Sequence, residues 1–265
     1  MTTDGMRRAS LDQARLATLA PTWRIEVLPE TPSTNAVCAD RARTGEAEGL
    51  VVTTEHQYAG RGRLDRVWEM PPRSALAVSV LLRPELPAAR WPWLPLMTGV
   101  AVARVVEGRV KWPNDLLMGP QHKKVCGILV ERIDTEKGPA AIVGIGLNTS
   151  LTVDELPVPT ATSLSIERGG APVDRTEVLT RLLGELSAAY ALLVEDPQRL
   201  AAEYVARSAT LGQRVRAELP GDRELTGTAT GIDEFGRLLL DVDGDRGGQP
   251  TAVGAGDIVH LRPER

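Results

Sequence analysis

Nine residues, GRGRLDRVW at 60–68, put three arginines, two glycines and a tryptophan side by side. Arg61, Arg63 and Arg66 carry forked donors that match a carboxylate or a phosphate. Gly60 and Gly62 let the backbone take positive φ or approach a ligand closely. Trp68 offers a flat apolar face to a ring. The surrounding chain is mildly acidic, with a formal net charge of −4. The stretch therefore reads either as a solvated loop or as a loop that closes over an anion.

Three further stretches carry chemistry. KWPND (111–115) brings a lysine, an amide and a carboxylate out together at a strand end. Pro113 holds Trp112 extended, and Asn114 with Asp115 favours a turn; alone, this is an ordinary Asx turn. KKVCGILVE (123–131) opens an apolar strand with Lys124, which shares the face of Cys126 and Ile128 by alternation. A lysine there needs either an anion or a path for its head to water. Cys126 reads as a small core residue, since no group is spaced to activate it. AIVGIGLN (141–148) puts Gly144, Gly146 and Asn148 on one strand face, and Val143, Ile145 and Leu147 on the other. The bare face suits a flat ligand with an amide at its edge, or close packing of another backbone. It lacks the third glycine and following helix of a dinucleotide fingerprint. No Walker A motif, G-x-S-x-G elbow or H-E-x-x-H pair is present, so the arginine loop and the lysines must handle any phosphate.

The elements that must position these residues are legible. Strands are expected at 23–28, 49–55 and 75–83, and over RVKW, KVCGILVERI and AAIVGIGLN. Ser33 or Thr34 caps a helix that stops at Gly45. A buried helix covers 92–107. A long amphipathic helix opens at Asp174, with Val178, Leu179, Leu182, Leu183, Leu186 and Leu193 on one stripe. Residues 1–20 are a short helix or a loose arm. From Ala209 the chain changes to short alternating runs between turn signals, which read as a small all-β barrel.

The 265 residues are 42% hydrophobic and 25% charged, an ordinary globular balance. No apolar run reaches membrane-span length, and the N-terminus has no apolar signal core. Two separated cysteines and three scattered histidines offer no metal-ligand spacing; a reducing cytoplasm is the default reading. The C-terminal barrel carries 7 basic against 10 acidic residues, which argues against a nucleic-acid barrel.

The stretches STN (33–35), EHQYAGRGR…W (55–68), KWPND, KKVCGILVE and GIGLN (144–148), in this order, resemble the biotin protein ligase family. The resemblance implies an α+β fold. Its parts would be a class II aminoacyl-tRNA-synthetase-like catalytic domain with a mixed sheet over 21–208, an N-terminal arm over 1–20, and a C-terminal SH3-like β-barrel over 209–265. It implies that biotin is activated by ATP as biotinyl-5′-AMP, with Mg²⁺ accompanying the nucleotide. The biotinyl group then passes to a lysine of the biotin carboxyl carrier domain of an acyl-CoA carboxylase. Ser33, Thr34, Asn35 and Gln57 would meet the ureido head, and Arg61, Gly62 and Arg63 would form the ligand loop, mobile when empty. Lys124 would meet the carboxylate and phosphate. Trp68 would lie against adenine, with Asn148 near the nucleotide and Gly144 and Gly146 beneath it. Lys111, Asn114 and Asp115 would line the reaction end, so that Arg63, Lys111, Asp115 and Lys124 serve the chemistry. No resident metal is implied. The stretch LMGPQHKK (117–124) is longer than in many relatives, which lets Lys123 compete with Lys124. Only about 20 residues precede the first strand, too few for the winged helix some members use on DNA. A monofunctional ligase without DNA or membrane is expected, with monomer and weak homodimer both open. The rival readings are a lipoate ligase or octanoyl transferase on the same fold, a nucleic-acid-binding protein, and a non-catalytic biotin sensor.

Overall fold

The computed structural model describes residues 8–63, 66–68, 70–221, 223–244, 248–254 and 256–260. Leu64 and Asp65 of the arginine-rich stretch, the first seven residues of the expected arm and the end of the last expected strand lie outside these. In chain order the elements begin with α1 (Gln13–Ala17), β1 (Arg24–Leu28), α2 (Thr34–Arg43), β2 (Leu50–Thr54), β3 (Gly60–Arg61), β4 (Val67–Trp68) and β5 (Ala75–Leu82). They continue with α3 (Trp93–Val106), β6 (Arg109–Lys111), β7 (Asp115–Met118), β8 (Lys123–Thr135), β9 (Gly138–Asn148), α4 (Leu164–Glu167), α5 (Arg175–Glu195) and α6 (Pro197–Arg207). The last five strands are β10 (Arg214–Leu219), β11 (Arg223–Ile232), β12 (Leu238–Val242), β13 (Thr251–Val253) and β14 (Asp257–His260). The chain packs as two units, 1–84 with 118–185, and 85–117 with 186–265.

In the first unit the strands run β1-β2-β5-β9-β8. β1 and β2 are parallel and the other pairs antiparallel, so the sheet is mixed. β5 alternates small and large side chains: Ala75, Ala77, Ser79 and Leu81 face one way, and Leu76, Val78, Val80 and Leu82 the other. At its far end the first face is apolar, where Leu81, Val52, Ala140 and Ile142 pack under Cys38, Ala39 and Ala42 of α2. Burial there pushes the Cys38 thiol up to about 12, which leaves it inert at neutral pH. Along the same face the residues shrink to Ser79 opposite Gly144 and Ala77 opposite Gly146. This strip of small residues makes room for a site.

The N-terminal arm resolves as the short helix α1, capped by the Asp12 carboxylate. It is tied down by the Leu11 N–H, which donates to Glu55 Oε1 at 2.7 Å, and by Arg175 Nη2, which donates to Ala9 O at 2.8 Å. Asp174 caps α5 through Oδ1, which accepts from the N–H groups of Thr176 and Glu177 at 2.9 and 3.0 Å. Every stripe residue from Val178 to Leu193 is buried.

In the second unit α3 packs on α6 and β6. Trp93 meets Tyr204 edge-on at 6.1 Å, and Arg104 Nη2 pairs with Glu203 Oε2 at 2.6 Å. The sequence reading missed α6, although Asp196 before Pro197 is a cap followed by proline at the first helical position. The five runs expected after Ala209 form one antiparallel sheet, β13-β12-β11-β10-β14.

Candidate functional site

The N-terminus of α2 supplies the first side chains. Ser33 takes extended φ and ψ and caps the helix, its Oγ accepting from the Ala36 N–H at 3.4 Å. That cap fixes the next two side chains against the sheet, so Thr34 and Asn35 are both buried. The Thr34 N–H donates to Gln57 Oε1 at 2.9 Å, and Thr34 Oγ1 lies 3.2 Å from the same oxygen. Asn35 Nδ2 donates to Glu131 Oε2 at 2.6 Å and to Leu129 O at 3.4 Å. Ser79 Oγ stands between them, 2.8 Å from Thr34 Oγ1 and 2.6 Å from Asn35 Oδ1. Ser79 and Glu131 were missed from sequence. The available signals were a lone hydroxyl in the apolar run ALAVSVLL and a carboxylate closing KKVCGILVE.

The glycine strip is covered by the chain itself. A Cβ on Gly144 would overlap the Asn35 amide, and one on Gly146 would come within 2.6 Å of Trp68 Cε2. One on Gly127 would lie 3.2 Å from Trp68 Cζ3. The flat group resting on Gly127 and Gly146 is thus the indole of Trp68, whose Nε1 is buried without a hydrogen-bond partner among the described residues. Trp68 reaches this place from the hairpin β3–β4, where Gly60 pairs with Trp68 and Arg61 with Val67. The Gly62 N–H donates to Arg66 O at 2.6 Å. Arg61 and Arg66 are exposed; Arg63 is half-buried.

Lys124 corrects the alternation argument. Its Nζ lies 5.9 Å from the Trp68 ring centroid, and its Cε would be 3.3 Å from a Cβ on Gly127. The ammonium is therefore on the Gly127–Gly146 face, not on the face of Cys126 and Ile128. The β8–β9 register begins at Cys126. Lys124 bonds instead to the segment before α4, donating its N–H to Thr160 O and accepting from the Thr162 N–H, both at 2.8 Å. Outside the regular ladder, strict alternation does not fix where its four-carbon stem points. Asn148, on the same strand face as the two glycines, is buried and donates from Nδ2 to Thr162 O at 2.9 Å.

Lys111, Asn114 and Asp115 belong to the second unit. KWPND is more than a turn after a strand: Lys111 and Asp115 pair across the hairpin β6–β7 around Trp112, cis-Pro113 and Asn114. Trp112 is buried, with its N–H donated to Thr210 Oγ1 and its indole Nε1–H to Gly236 O, each at 3.1 Å. No group of three or more His, Cys, Asp or Glu side chains converges as a metal site among the described residues. Nor is any described helix long and apolar enough to cross a membrane.

Residues 27–148 match the biotin/lipoate A/B protein ligase family, and 210–261 match the biotin protein ligase C-terminal domain. The chain is 42% identical over 252 residues to a biotin--[acetyl-CoA-carboxylase] ligase of Mycobacterium tuberculosis, covering 91% of this chain and 90% of that one. It is 34% identical to the bifunctional ligase/repressor BirA of Escherichia coli, over 83% of this chain and 70% of that one. Among solved structures, the biotin protein ligase of Aquifex aeolicus in complex with biotin and ATP superposes with a TM-score of 0.73 at 28% identity, covering 90% of this chain and 99% of the other. The chain belongs to the biotin protein ligase family.

Proposed function

We propose that this protein is a biotin--[biotin carboxyl-carrier protein] ligase. In the first half-reaction a biotin carboxylate oxygen attacks the α-phosphorus of ATP, and the bond to the β-phosphate breaks to release pyrophosphate. In the second, a neutral lysine amine of the carrier domain attacks the acyl carbon. AMP leaves, and the nitrogen loses a proton as the amide forms. The observation that carries this reading is a convergence: Thr34, Gln57, Gly146, Trp68 and Lys124, far apart in sequence, meet on one sheet face.

Thr34 and Gln57 present amide and hydroxyl groups suited to a cyclic urea. Lys124 and the arginines of the loop neutralise charge at the carboxylate and α-phosphate, where negative charge develops. Arg61, Gly62 and Arg63 then cover the mixed anhydride and keep water from it. Ser33 acts through the helix cap, and Asn35 through the amide it packs over Gly144. Trp68 and Asn148 flank the nucleotide side; Lys111, Asn114 and Asp115 keep the part in phosphate handling that the family resemblance implies. Mg²⁺ would accompany ATP and be held mainly by phosphate oxygens and water, without a dedicated cage of side chains. We assign residues 21–208 to a catalytic domain of the class II synthetase type and 209–265 to an SH3-like barrel; the two family matches support the division. The acceptor is a carboxylase carrier domain, as the names of the relatives suggest. No DNA partner is proposed.

Exchange of labelled pyrophosphate into ATP tests this with biotin, with lipoate and with neither. Exchange should require biotin. Exchange with lipoate alone would move the protein to the lipoate branch of the family. A saturable, salt-sensitive shift of an operator-like duplex that survives excess competitor would overturn the absence of DNA binding.

A further inference from the structure

From the chain Glu131–Asn35–Ser79–Thr34–Gln57 we infer that Glu131 and Ser79 are positioning residues that fix which end of the head-group site accepts and which donates. The inference rests on the biotin reading and deepens it. The reasoning is a proton count. An ionised carboxylate has lone pairs and no proton to give, so the Asn35 group 2.6 Å from Glu131 Oε2 must be the Nδ2 donor. The other Nδ2 neighbour, Leu129 O at 3.4 Å, is also an acceptor. The amide oxygen therefore faces Ser79, 2.6 Å away, and the single Ser79 proton must point at it. The Thr34 proton has two candidate acceptors, Ser79 Oγ at 2.8 Å and Gln57 Oε1 at 3.2 Å, and goes to the shorter contact, since Gln57 Oε1 already receives the Thr34 N–H. This leaves Thr34 Oγ1 with an open lone pair. The Thr34 N–H holds Gln57 Oε1 at 2.9 Å, so the Nε2 end of Gln57 is turned to donate.

An acceptor at Thr34 beside a donor at Gln57 complements a group that presents N–H next to C=O, as one side of a cyclic urea does. All five side chains except Glu131 are buried. In such surroundings a mismatched proton order is not repaired by water, so the polarity set at Glu131 is transmitted to the ligand. The isosteric Glu131→Gln can accept from Asn35 Nδ2 or donate to Asn35 Oδ1, so only the long 3.4 Å contact to Leu129 O still favours the original amide, and the flipped amide, with each proton after it reversed, becomes populated. Ser79→Ala removes the middle link.

The test compares biotin with its cyclic carbamate analogue, in which one ureido N–H is replaced by oxygen, in ATP–pyrophosphate exchange. Wild type should prefer biotin. Glu131→Gln should raise the biotin KM about tenfold, far more than it lowers kcat. It should also shrink the biotin-to-carbamate preference by about the same factor. If Glu131→Gln lowers the melting temperature, Ser79→Ala carries the same expected loss of preference. A merely structural role would raise both KM values together, and an unchanged preference in a variant would overturn this inference alone. Absence of biotin-dependent exchange in the wild type would overturn the biotin reading, and this inference with it.

Discussion

The two ends of the candidate site solve opposite problems. At the Thr34–Gln57 end, short hydrogen bonds join buried neutral side chains of α2, β5 and Gln57, and tie them to the half-buried carboxylate of Glu131 on β8. At the Lys124–Trp68 end, cationic groups stand on a half-exposed hairpin and at an irregular strand start. A neutral polar group can be buried when its partners are built in, so the head-group end can be preorganised. Positive charge at a site for a carboxylate and a phosphate is stabilised further when the anion arrives, because close cations repel one another. On the proposed reading, this difference assigns affinity and selectivity to the first end and rate to the second.

The strongest way to break this comparison is Lys124→Gln. Removing one charged donor aimed at developing negative charge lowers the rate by about 10²–10³, read in biotin-dependent pyrophosphate exchange. Lys123→Gln should stay within severalfold, by the placement of Lys124 over Gly127 and Trp68. The reverse result would shift the assignment by one residue. At the other end, Thr34→Val keeps shape and removes the acceptor; the biotin KM should rise roughly 10- to 100-fold, with kcat changed much less. A fall in kcat with an unchanged KM would erase the division of labour.

The border between the ends is the glycine strip. Gly146→Ala places a methyl 2.6 Å from Trp68 Cε2, so the indole or the strand must move. A loss of roughly 1–3 kcal/mol is expected, with a change in tryptophan emission absent from a Trp68→Phe background. Gly127→Ala, with its nearest contact at 3.2 Å, should be milder.

The smallest effect is expected away from both ends. The Arg15 hydrogen bond, helped by the N–H groups of Glu177 and Thr176, holds the Asp174 carboxyl below its ordinary value of 3.8. The folded value is depressed, so the stabilisation is present above about pH 4 and is lost as pH falls through the lower folded value. Both partners are about half exposed, which weakens the pair. Asp174→Asn keeps the cap and should lower the melting temperature at pH 7 by less than about 2 °C. The difference should close in acid. Asp174→Ala should be worse because the cap itself is lost.

The local signals were sufficient for much of this. Ser33 as a cap, the alternation in ALAVSVLL, the stripe from Val178 to Leu193 and the turn-separated runs after Ala209 depend on neighbours a few residues apart, and each became the expected helix or strand, the last as an antiparallel sheet of five strands. The motif stretches sufficed to name the family. What the glycines at 144 and 146 make room for was decided by the tertiary structure, because Asn35 and Trp68 arrive from distant segments. The same holds for the side from which Lys124 reaches the pocket, since its backbone partners are Thr160 and Thr162 and not the next strand. Ser79 and Glu131 join the site only once folding brings them within one and three hydrogen bonds of Thr34, respectively. Backbone preference acts over a few residues and is written in the order of side chains. The pairing of buried donors and acceptors is a property of three-dimensional neighbours, and only the folded chain supplies them.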